Sequence, residues 1–459
     1  MKKPRFVVWI TTDHLRADTI GALGNPAVHT PNIDRLVRGG VSFTNCFANS
    51  PLCMPSRCSF MTGCYPPQTG VMRNGHELPA DFKPVVAQSF AEAGWHTVQI
   101  GKLHFQGHQD MDLDPRPRHA YGFNVFNLSE EPGCYEDAYK TWLRGAYPEL
   151  VETFSVPRPL TAERKKEARD FRVLEAPWQA SHSGWVAESF VQYLSSWGLP
   201  PEPHFFHLGF YAPHPPLNPT REMMEPYRSA AIPDPARRAG DPRDGGLDGD
   251  VLADFRRHFF AMITGVDLAV GRILQCLEDS GVLEETLIFF GSDHGDACGD
   301  HGQIGKSSAY FDGMMRVPWI VHWPQAIPAP GTRMDEMVEM VDALPTLLEL
   351  SGVARHPAMV GRSWAPAIRG EASPDGREDV FAIYDRGDLM VRTETMKYLR
   401  YPEECGDREA LYDLETDSHE FCDVSQDPKY ASELQAMRER ALRRCVEACR
   451  SVHRRRTQF

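Results

Sequence analysis

Arg5-Phe6-Val7-Val8-Trp9-Ile10 runs through Thr11-Thr12 into Asp13-His14, an apolar stretch that ends in polar side chains. The same pattern recurs at residues 95–100, 204–210 and 286–290, each of which precedes a short group of Lys, His or Asp residues. Helical patterns separate these stretches and follow the last one, at residues 30–39, 82–93, 183–196, 255–280 and 335–350. Strands that alternate with helices predict an α/β fold in which a large, mostly parallel sheet is sandwiched by helices.

The polar groups that end the four predicted strands indicate a functional site. Ligands of open α/β sheets bind beyond the carboxyl ends of the strands, so residues far apart in sequence meet there. Two of the groups are the same dipeptide, Asp13-His14 and Asp293-His294. A single Asp-His after a strand is usually a helix cap beside a surface imidazole, but carboxylate and imidazole together also suit a divalent metal. The duplication favours the metal site.

Further candidate residues follow the other two strands and lie in loops. Lys102 and His104 flank one residue, so they share a face if the segment is extended. Each candidate alone has a simpler explanation: a solvated lysine for Lys102 or Lys306, a core histidine for His104, and a turn for Asn74 or His214. Together they place cations and imidazoles beside a metal, which suits hydrolysis of an anionic ester.

Cys53-Met54-Pro55-Ser56-Arg57, which continues to Gly63, places a thiol just ahead of a proline that suits a first helical position. Gly63 suits the position just after a helix. Cys53 then lies over the electropositive start of that helix, where backbone N–H groups and Arg57 hold an anion against it. These features predict a nucleophile that faces a negatively charged substrate.

Composition and charge argue against several classes of protein. The 459 residues carry a net charge of −14, which argues against nucleic acid or an anionic membrane as the main partner. The apolar run near the start is short, and no uninterrupted run approaches the ~18 apolar residues of a membrane helix. We therefore expect a cytoplasmic protein. The 11 cysteines are scattered, and the four at 46, 53, 58 and 64 match no zinc motif, so we expect neither a disulfide framework nor a zinc cluster.

Beyond about residue 370 the pattern changes. Short predicted strands at residues 380–384, 389–392, 398–401 and 410–414 precede a helical stretch at residues 429–449. This predicts a smaller α+β subdomain with an antiparallel sheet, so that residues 1–370 form the catalytic domain and residues 371–459 the C-terminal subdomain. We expect an irregular segment at residues 146–177 and a Pro- and Gly-rich surface loop at residues 229–250 to shape the leaving-group pocket.

The stretch at Cys53 resembles the signature of the sulfatase family, in which this cysteine is oxidised to formylglycine. The signature residues here are Cys53, Pro55, Ser56, Arg57, Thr62 and Gly63. Further matches in the family's order cover nearly the whole chain, at residues 30–36, 101–104, 212–214, 292–295, 305–306, 316–318 and 411–415. The resemblance is to formylglycine-dependent type I sulfatases of the alkaline phosphatase superfamily, whose fold agrees with the α/β prediction.

The resemblance implies a nucleophile and a cofactor. A formylglycine-generating enzyme would convert Cys53 to formylglycine, which is then hydrated, and one hydroxyl attacks sulfur after a carboxylate such as Asp293 takes its proton. The family's metal is most commonly calcium. The implied ligands here are Asp13, His14, the residue at 53, Asp293 and His294.

The resemblance also implies roles for the remaining candidates. The charge on the sulfuryl oxygens is offset by the metal and by three cations, Arg57, Lys102 and Lys306. His214, with Lys306, protonates the departing alcohol, and His104 helps remove the second hydroxyl's proton so that sulfate leaves. Asn74 is assigned to substrate binding.

His14 departs from the family pattern, because many sulfatases have a second aspartate at this position. A site with two imidazoles and two aspartates is compatible with calcium, but its nitrogen ligands favour manganese or zinc. Alternatively, His14 points away, and Asp13, formylglycine 53, Asp293 and His294 hold the metal.

The sequence thus predicts hydrolysis of a small sulfate ester, which is a sulfated sugar, an aryl sulfate or an alkyl sulfate. The main alternative is a phosphonate monoester or phosphodiester hydrolase of the same superfamily, which also uses formylglycine and an Asp-His pair. Those relatives tend to lack the Lys102-x-His104 segment, which this chain keeps. A third possibility, a catalytically silent sulfate-binding relative, has no need to retain Cys53.

Overall fold

A computed structural model describes residues 3–107, 118–134, 136–155, 171–197, 201–307, 309–371, 374, 376–385, 387–402 and 408–450. Its main sheet has eight strands in the order β4-β3-β5-β1-β6-β7-β2-β8. The strands are β1 (Phe6–Asp13), β2 (Val41–Phe47), β3 (His96–Gly101), β4 (Val125–Leu128), β5 (His204–Pro213), β6 (Thr286–Ser292), β7 (Arg316–His322) and β8 (Thr332–Glu339). Only β7 runs against its neighbours in this sheet. The predicted mostly parallel sheet is confirmed.

Helices cover both faces of the sheet. They are α1 (Pro31–Gly39), α2 (Cys53–Thr62), α3 (Pro66–Thr69), α4 (Val86–Glu92), α5 (Ala138–Ala146), α6 (His182–Trp197), α7 (Arg221–Met224), α8 (Gly249–Asp279), α9 (Asp312–Met315), α10 (Ala343–Ser351) and α11 (Ala365–Ile368). Alternate side chains of β1 point into opposite layers: Val7 and Trp9 pack in one core, and Phe6 and Val8 in the other. Because β1 is buried on both faces, its sequence is continuously apolar rather than alternating.

Two helix predictions were partly wrong. The helix expected at residues 82–93 begins only at Val86. Residues 335–350 were expected to be helical throughout, but 335–339 belong to β8, and the helix α10 begins only at Ala343. The first five residues of β8 alternate between less and more exposed side chains, as in an edge strand, and β8 pairs with β2 along its length. The apolar residues Met337, Met340 and Val341 are spaced as on one face of a helix, although they lie across the junction between the strand and the helix.

Four strands of the main sheet were not predicted: β2, β4, β7 and β8. Strand β7 contains Pro318, which has no N–H to donate to a sheet ladder. The structure accommodates it with an irregularity in β2. Phe43 is opposite Trp319 and Cys46 is opposite Val317, so two residues of β2 face Pro318.

The C-terminal part forms the predicted antiparallel sheet. Its strands, in the order β12-β11-β10-β9, are β9 (Val380–Tyr384), β10 (Asp388–Arg392), β11 (Met396–Tyr401) and β12 (Arg408–Asp413), and the helix α12 (Ala431–Ala448) packs on them. The boundary at residue 370 stays a prediction. The predicted loop at 229–250 carries no helix or strand until α8 begins at Gly249. Within the irregular segment at 146–177, residues 156–170 lie outside the described residues.

Helix α8 is long and apolar enough to cross a membrane by length and composition alone, with a mean hydropathy of 1.5 over an 18-residue window. Of that window, 72% is buried inside the protein. A core helix of a globular protein passes the same test, so the observation is weak, and the expectation that the protein works without a membrane stays a prediction.

Helix α1 begins on a carboxylate supplied by α8. Asp267 Oδ1 accepts hydrogen bonds from the backbone N–H groups of Asn32 (2.9 Å) and Ile33 (2.8 Å), and its Oδ2 accepts one from the Asn32 side chain (2.9 Å). Thr30, the residue that precedes the helix, makes no side-chain cap. Asp267 therefore caps a helix 235 residues away and fixes α1 against α8.

We expect Asp267→Ala to lower the free energy of unfolding by about 2–4 kcal/mol, because it leaves the backbone N–H groups of Asn32 and Ile33 without their acceptor. Asp267→Asn retains an oxygen that accepts from the backbone, so it should lose less. Urea unfolding followed by circular dichroism measures both. Equal losses in the two variants would contradict the capping role.

Candidate active site

The polar groups at the four strand ends come together around Cys53, as the sequence predicted. The Cys53 Sγ lies 3.5 Å from Asp13 Oδ1, 3.3 Å from His294 Nε2 and 2.5 Å from Lys306 Nζ. Lys102 Nζ lies 2.7 Å from Asp13 Oδ2. The cluster is buried, with the Cys53 residue only 1% exposed. Residues from β1, α2 and the segments after β3 and β6 thus form one site.

Helix α2 places Cys53 at its first turn. The helix begins at Cys53 itself, so Pro55 is its third residue rather than its first, and Gly63 ends it with a left-handed φ of 69°. Asn74 Oδ1 accepts a hydrogen bond from the Met54 N–H at 3.1 Å. The structure therefore gives Asn74 a role at the start of α2, and its role in substrate binding stays a prediction.

Arg57 is fully buried and directs its donors at the protein scaffold. Its Nε donates to Asp293 Oδ2 at 2.8 Å, and its two terminal nitrogens donate to the carbonyl oxygens of Lys102 (3.1 Å) and Thr12 (3.2 Å). One guanidinium thus ties together the ends of β1, β3 and β6. Its predicted contact with sulfuryl oxygens is untested, and the geometry makes it a positioning residue for Asp293.

Two overlapping groups of side chains offer a metal ion ligand atoms that lie within 4.8 Å of one another: Asp13, Cys53, Asp293 and His294, and Asp13, His14, Cys53 and His214. The buried carboxyl of Asp13 is charged, because the charges of Lys102 and Lys306 overcome the effect of burial and hold its pKa well below the usual value. Buried carboxylates with nearby imidazoles fit a divalent cation.

Three of the imidazoles at the cluster are neutral. Burial is the largest cause in each case, and it lowers the pKa of His14 and of His214 well below the ordinary value and lowers that of His294. Lys306 lowers all three further. A neutral imidazole keeps a lone pair, which is the form that binds a metal.

The thiol of Cys53 is not activated. Burial, followed by the charge of Asp13, raises its pKa to about 11, although Lys306 and Lys102 act in the opposite direction. The thiol therefore stays protonated near neutral pH, and a thiolate is the form that attacks. The two lysines do not offset burial and the carboxylates of Asp13 and Asp293, which argues against cysteine itself as the working nucleophile.

The other predicted residues surround the cluster. The His214 ring lies 4.5 Å from the His14 ring, and its Nδ1 is 2.6 Å from the Pro215 carbonyl oxygen, so its Nε2 is the nitrogen left for chemistry. His104 is buried in a left-handed conformation (φ 62°), and its N–H donates to Glu130 Oε1 at 2.9 Å. Its catalytic role stays a prediction.

Two residues of the site were missed from the sequence. Tyr211 lies with its ring 4.9 Å from Lys102 Nζ and 4.6 Å from the His214 ring, and its hydroxyl donates to Pro215 O at 2.7 Å. Asp296 lies 2.6 Å from His14 Nδ1 through Oδ2. Asp296 follows Asp293 by three residues, and that closeness was the available signal. Tyr211 resembled an ordinary residue of a buried strand.

We expect Arg57→Met to lower the free energy of unfolding by about 3–5 kcal/mol, because it leaves the buried Asp293 carboxylate without its partner. Arg57→Lys keeps the charge but not the fork of donors, and should lose less. Arg38→Met is the matched control. It removes an exposed arginine 3.8 Å from Asp34, and should change stability by no more than about 1 kcal/mol. Chemical unfolding in excess chelator compares all three, and an Arg57→Met value similar to the control would contradict the positioning role.

Comparison with known proteins accounts for this arrangement. The chain matches the family model "Sulfatase" over residues 5–353 and the model "N-sulphoglucosamine sulphohydrolase, C-terminal" over residues 299–447. It is 25% identical to an arylsulfatase of Clostridium perfringens, covering 95% of this chain and 93% of that protein. It is 26% identical to a multifunctional alkaline phosphatase superfamily protein of Trinickia caryophylli, covering 95% and 94%.

Among solved structures, the phosphonate monoester hydrolase of Agrobacterium radiobacter is similar, with a TM-score of 0.82 at 25% identity over 97% of this chain and 96% of that one. The fold is thus alkaline-phosphatase-like, as the sequence predicted. The sulfatase model covers well over half of the chain, from β1 to the end of α10. The chain therefore belongs to the sulfatase family, and with it to the sulfuric ester hydrolases.

Proposed function

We propose that this protein hydrolyses a sulfate monoester to an alcohol and inorganic sulfate, with formylglycine at position 53 as the precursor of its nucleophile. The observation that carries the proposal is the position of Cys53, at the first turn of α2 and in contact with Asp13, His294 and Lys306. Its protonated thiol is a poor nucleophile, whereas a hydrated aldehyde has two hydroxyl groups and can release its product.

A divalent cation would be held by Asp13, the residue at 53, Asp293 and His294. When bound, it polarises the sulfuryl oxygens and favours the ionised form of a neighbouring hydroxyl. The Asp293 carboxylate is already fixed in position. Arg57 Nε donates to its Oδ2 at 2.8 Å, and the backbone N–H of His294 donates to its Oδ1 at 2.9 Å.

The chain's own residues then carry the proton transfers. Asp13 Oδ1 is within 3.5 Å of position 53, so Asp13 is better placed than Asp293 to take the proton of the attacking hydroxyl. As the new S–O bond forms, the ester S–O bond breaks, and Lys102 and Lys306 offset the charge on the sulfuryl oxygens. His214 protonates the departing alcohol oxygen together with Lys306. The ammonium of Lys306 is the proton source, because the neutral His214 ring carries its proton on Nδ1 and has none on Nε2 to give.

The second half of the cycle releases sulfate. His104 takes the proton of the remaining hydroxyl, the C–O bond to the sulfate group breaks, and the aldehyde is restored. Water then hydrates it again. An ester formed on an unmodified cysteine or a serine has no second hydroxyl, so it cannot leave by this route.

A phosphonate monoester or phosphodiester hydrolase is the second candidate. It is favoured by the structural similarity to a phosphonate monoester hydrolase and by the Asp293-His294 pair. Sulfate monoesters, phosphonate monoesters and phosphodiesters are all tetrahedral anionic esters that fit the same cations, so the two functions differ in relative rate rather than in the groups required.

We expect kcat/KM for an aryl sulfate to exceed that for the matching aryl phosphonate monoester. Both substrates should carry the same aryl leaving group, so that leaving-group reactivity cancels. A phosphonate preference of several orders of magnitude would overturn the first candidate in favour of the second.

Modification of Cys53 is expected to appear in a single peptide that carries its own control. Trypsin should release residues 39–57, which contain both Cys46 and Cys53. In protein made with a formylglycine-generating enzyme, Cys53 should lose mass as oxygen replaces sulfur and resist alkylation, whereas buried Cys46 is alkylated after unfolding. If both cysteines are alkylated and the protein still turns over substrate, the formylglycine mechanism is wrong. If both are alkylated and there is no turnover, the result favours a catalytically silent relative.

The His214→Ala substitution should slow the hydrolysis of substrates with poor leaving groups most. We expect kcat for an alkyl sulfate to fall by about 10²–10⁴, and kcat for a nitrophenyl sulfate to fall far less, because an activated alcohol leaves without a proton. Measured across a series of leaving-group pKa values, equal losses would show that His214 takes no part in protonating the alcohol.

A further inference from the structure

His14 is held from behind by a buried carboxylate. Its Nδ1 lies 2.6 Å from Asp296 Oδ2, and both residues are almost completely buried. Asp296 is itself fixed, since its Oδ1 accepts hydrogen bonds from the backbone N–H groups of Cys298 (2.7 Å) and Gly305 (2.9 Å). This anchored carboxylate sets the orientation of the His14 ring and leaves the proton of the neutral ring on Nδ1.

The other ring nitrogen faces the cluster. His14 Nε2 is 3.7 Å from Asp13 Oδ1, and it makes no hydrogen bond to any of the residues that the structure describes. His14 also adopts a left-handed φ of 72°, a strained conformation for a residue other than glycine. A buried imidazole nitrogen with a lone pair, aimed into a group of carboxylates, has the geometry of a metal ligand.

His294 repeats the arrangement. Its Nδ1 is 2.8 Å from the Gly295 carbonyl oxygen, and its Nε2 faces Cys53. Strands β1 and β6 are parallel and in register, with Thr12 opposite Ser292, so the two Asp-His dipeptides lie side by side. In each imidazole an oxygen acceptor thus holds Nδ1, and Nε2 lies 3.7 Å from Asp13 Oδ1.

We propose that His14 is a metal ligand through Nε2, that Asp296 is its positioning residue, and that the site prefers a first-row transition ion to calcium. The proposal rests on the proposed function only for the presence of a divalent cation. Calcium takes six to eight oxygen ligands, whereas imidazole nitrogen suits zinc and its neighbours. Both candidate ligand groups, Asp13 with His14, Cys53 and His214 and Asp13 with Cys53, Asp293 and His294, contain imidazole nitrogen. Such nitrogen suits a transition ion, in contrast to the calcium that the family resemblance implied.

The test measures metal affinity rather than turnover. It uses the full chain as Cys53→Ser, so that a thiol cannot bias the result towards zinc. After chelator treatment, Zn²⁺ and Ca²⁺ affinities are measured by competition with chromogenic indicators. We expect Zn²⁺ to bind at least about a hundredfold more tightly than Ca²⁺. Equal affinities for the two ions would overturn the proposed ion preference.

Two variants test the two residues. His14→Asp should weaken Zn²⁺ binding about a hundredfold and bring the two affinities closer together, because an oxygen replaces the nitrogen. Asp296→Asn should weaken Zn²⁺ binding about 10–100-fold with little change for Ca²⁺. Unchanged Zn²⁺ affinity in His14→Asp would overturn the ligand assignment.

The matched control is Asp300→Asn. Asp300 lies in the same loop and pairs with Arg16 at 2.8 Å, so the control disturbs the loop without touching His14. If it weakens Zn²⁺ binding as much as Asp296→Asn does, the positioning role is wrong. X-ray absorption of the zinc form adds a structural readout, with two imidazoles expected in the parent and one in His14→Asp.

These outcomes are separable from those of the proposed function. Metal preference is measured without substrate and without formylglycine, so a phosphonate-specific enzyme would overturn the proposed function and leave this inference intact. Conversely, an active sulfatase that prefers calcium would overturn the inference alone.

Discussion

The buried guanidinium of Arg57 is the contact on which the rest of the site depends. It joins the Asp293 carboxylate to the carbonyl oxygens of Thr12 and Lys102, so one side chain from α2 fixes the ends of three strands. Without this cation, Asp293 would be a buried charge with fewer partners, and such a charge costs several kcal/mol. The position of Cys53, one turn earlier in the same helix, follows from where Arg57 is held.

The register of β1 and β6 supplies the second constraint. Both strands are buried and run parallel, and Thr12 lies opposite Ser292. A slip of one residue would move Asp13 to the other face of the sheet. Hydrophobic packing of the strands therefore sets the spacing of the carboxylates, and the local loop after β6 supplies the hydrogen bonds that aim each imidazole.

The sequence was sufficient for features that depend on short apolar runs or local spacing. The strand from Phe6, the end of α2 at Gly63 and the gathering of polar groups at the strand ends follow from such patterns. Features that depend on long-range contacts were not predictable. Pro318 lies in a strand only because β2 bulges opposite it, and the roles of Asp267 and Asp296 appear only when distant segments meet.

The burial of α2 has a consequence for how the protein matures. All ten of its residues are buried, so residue 53 is out of reach of another protein once the helix has packed. If the cysteine is oxidised by a separate enzyme, that enzyme works on the chain before this part has folded. Modification and folding then compete in time, and the fraction of working molecules is set by the ratio of two rates rather than by affinity for the finished protein.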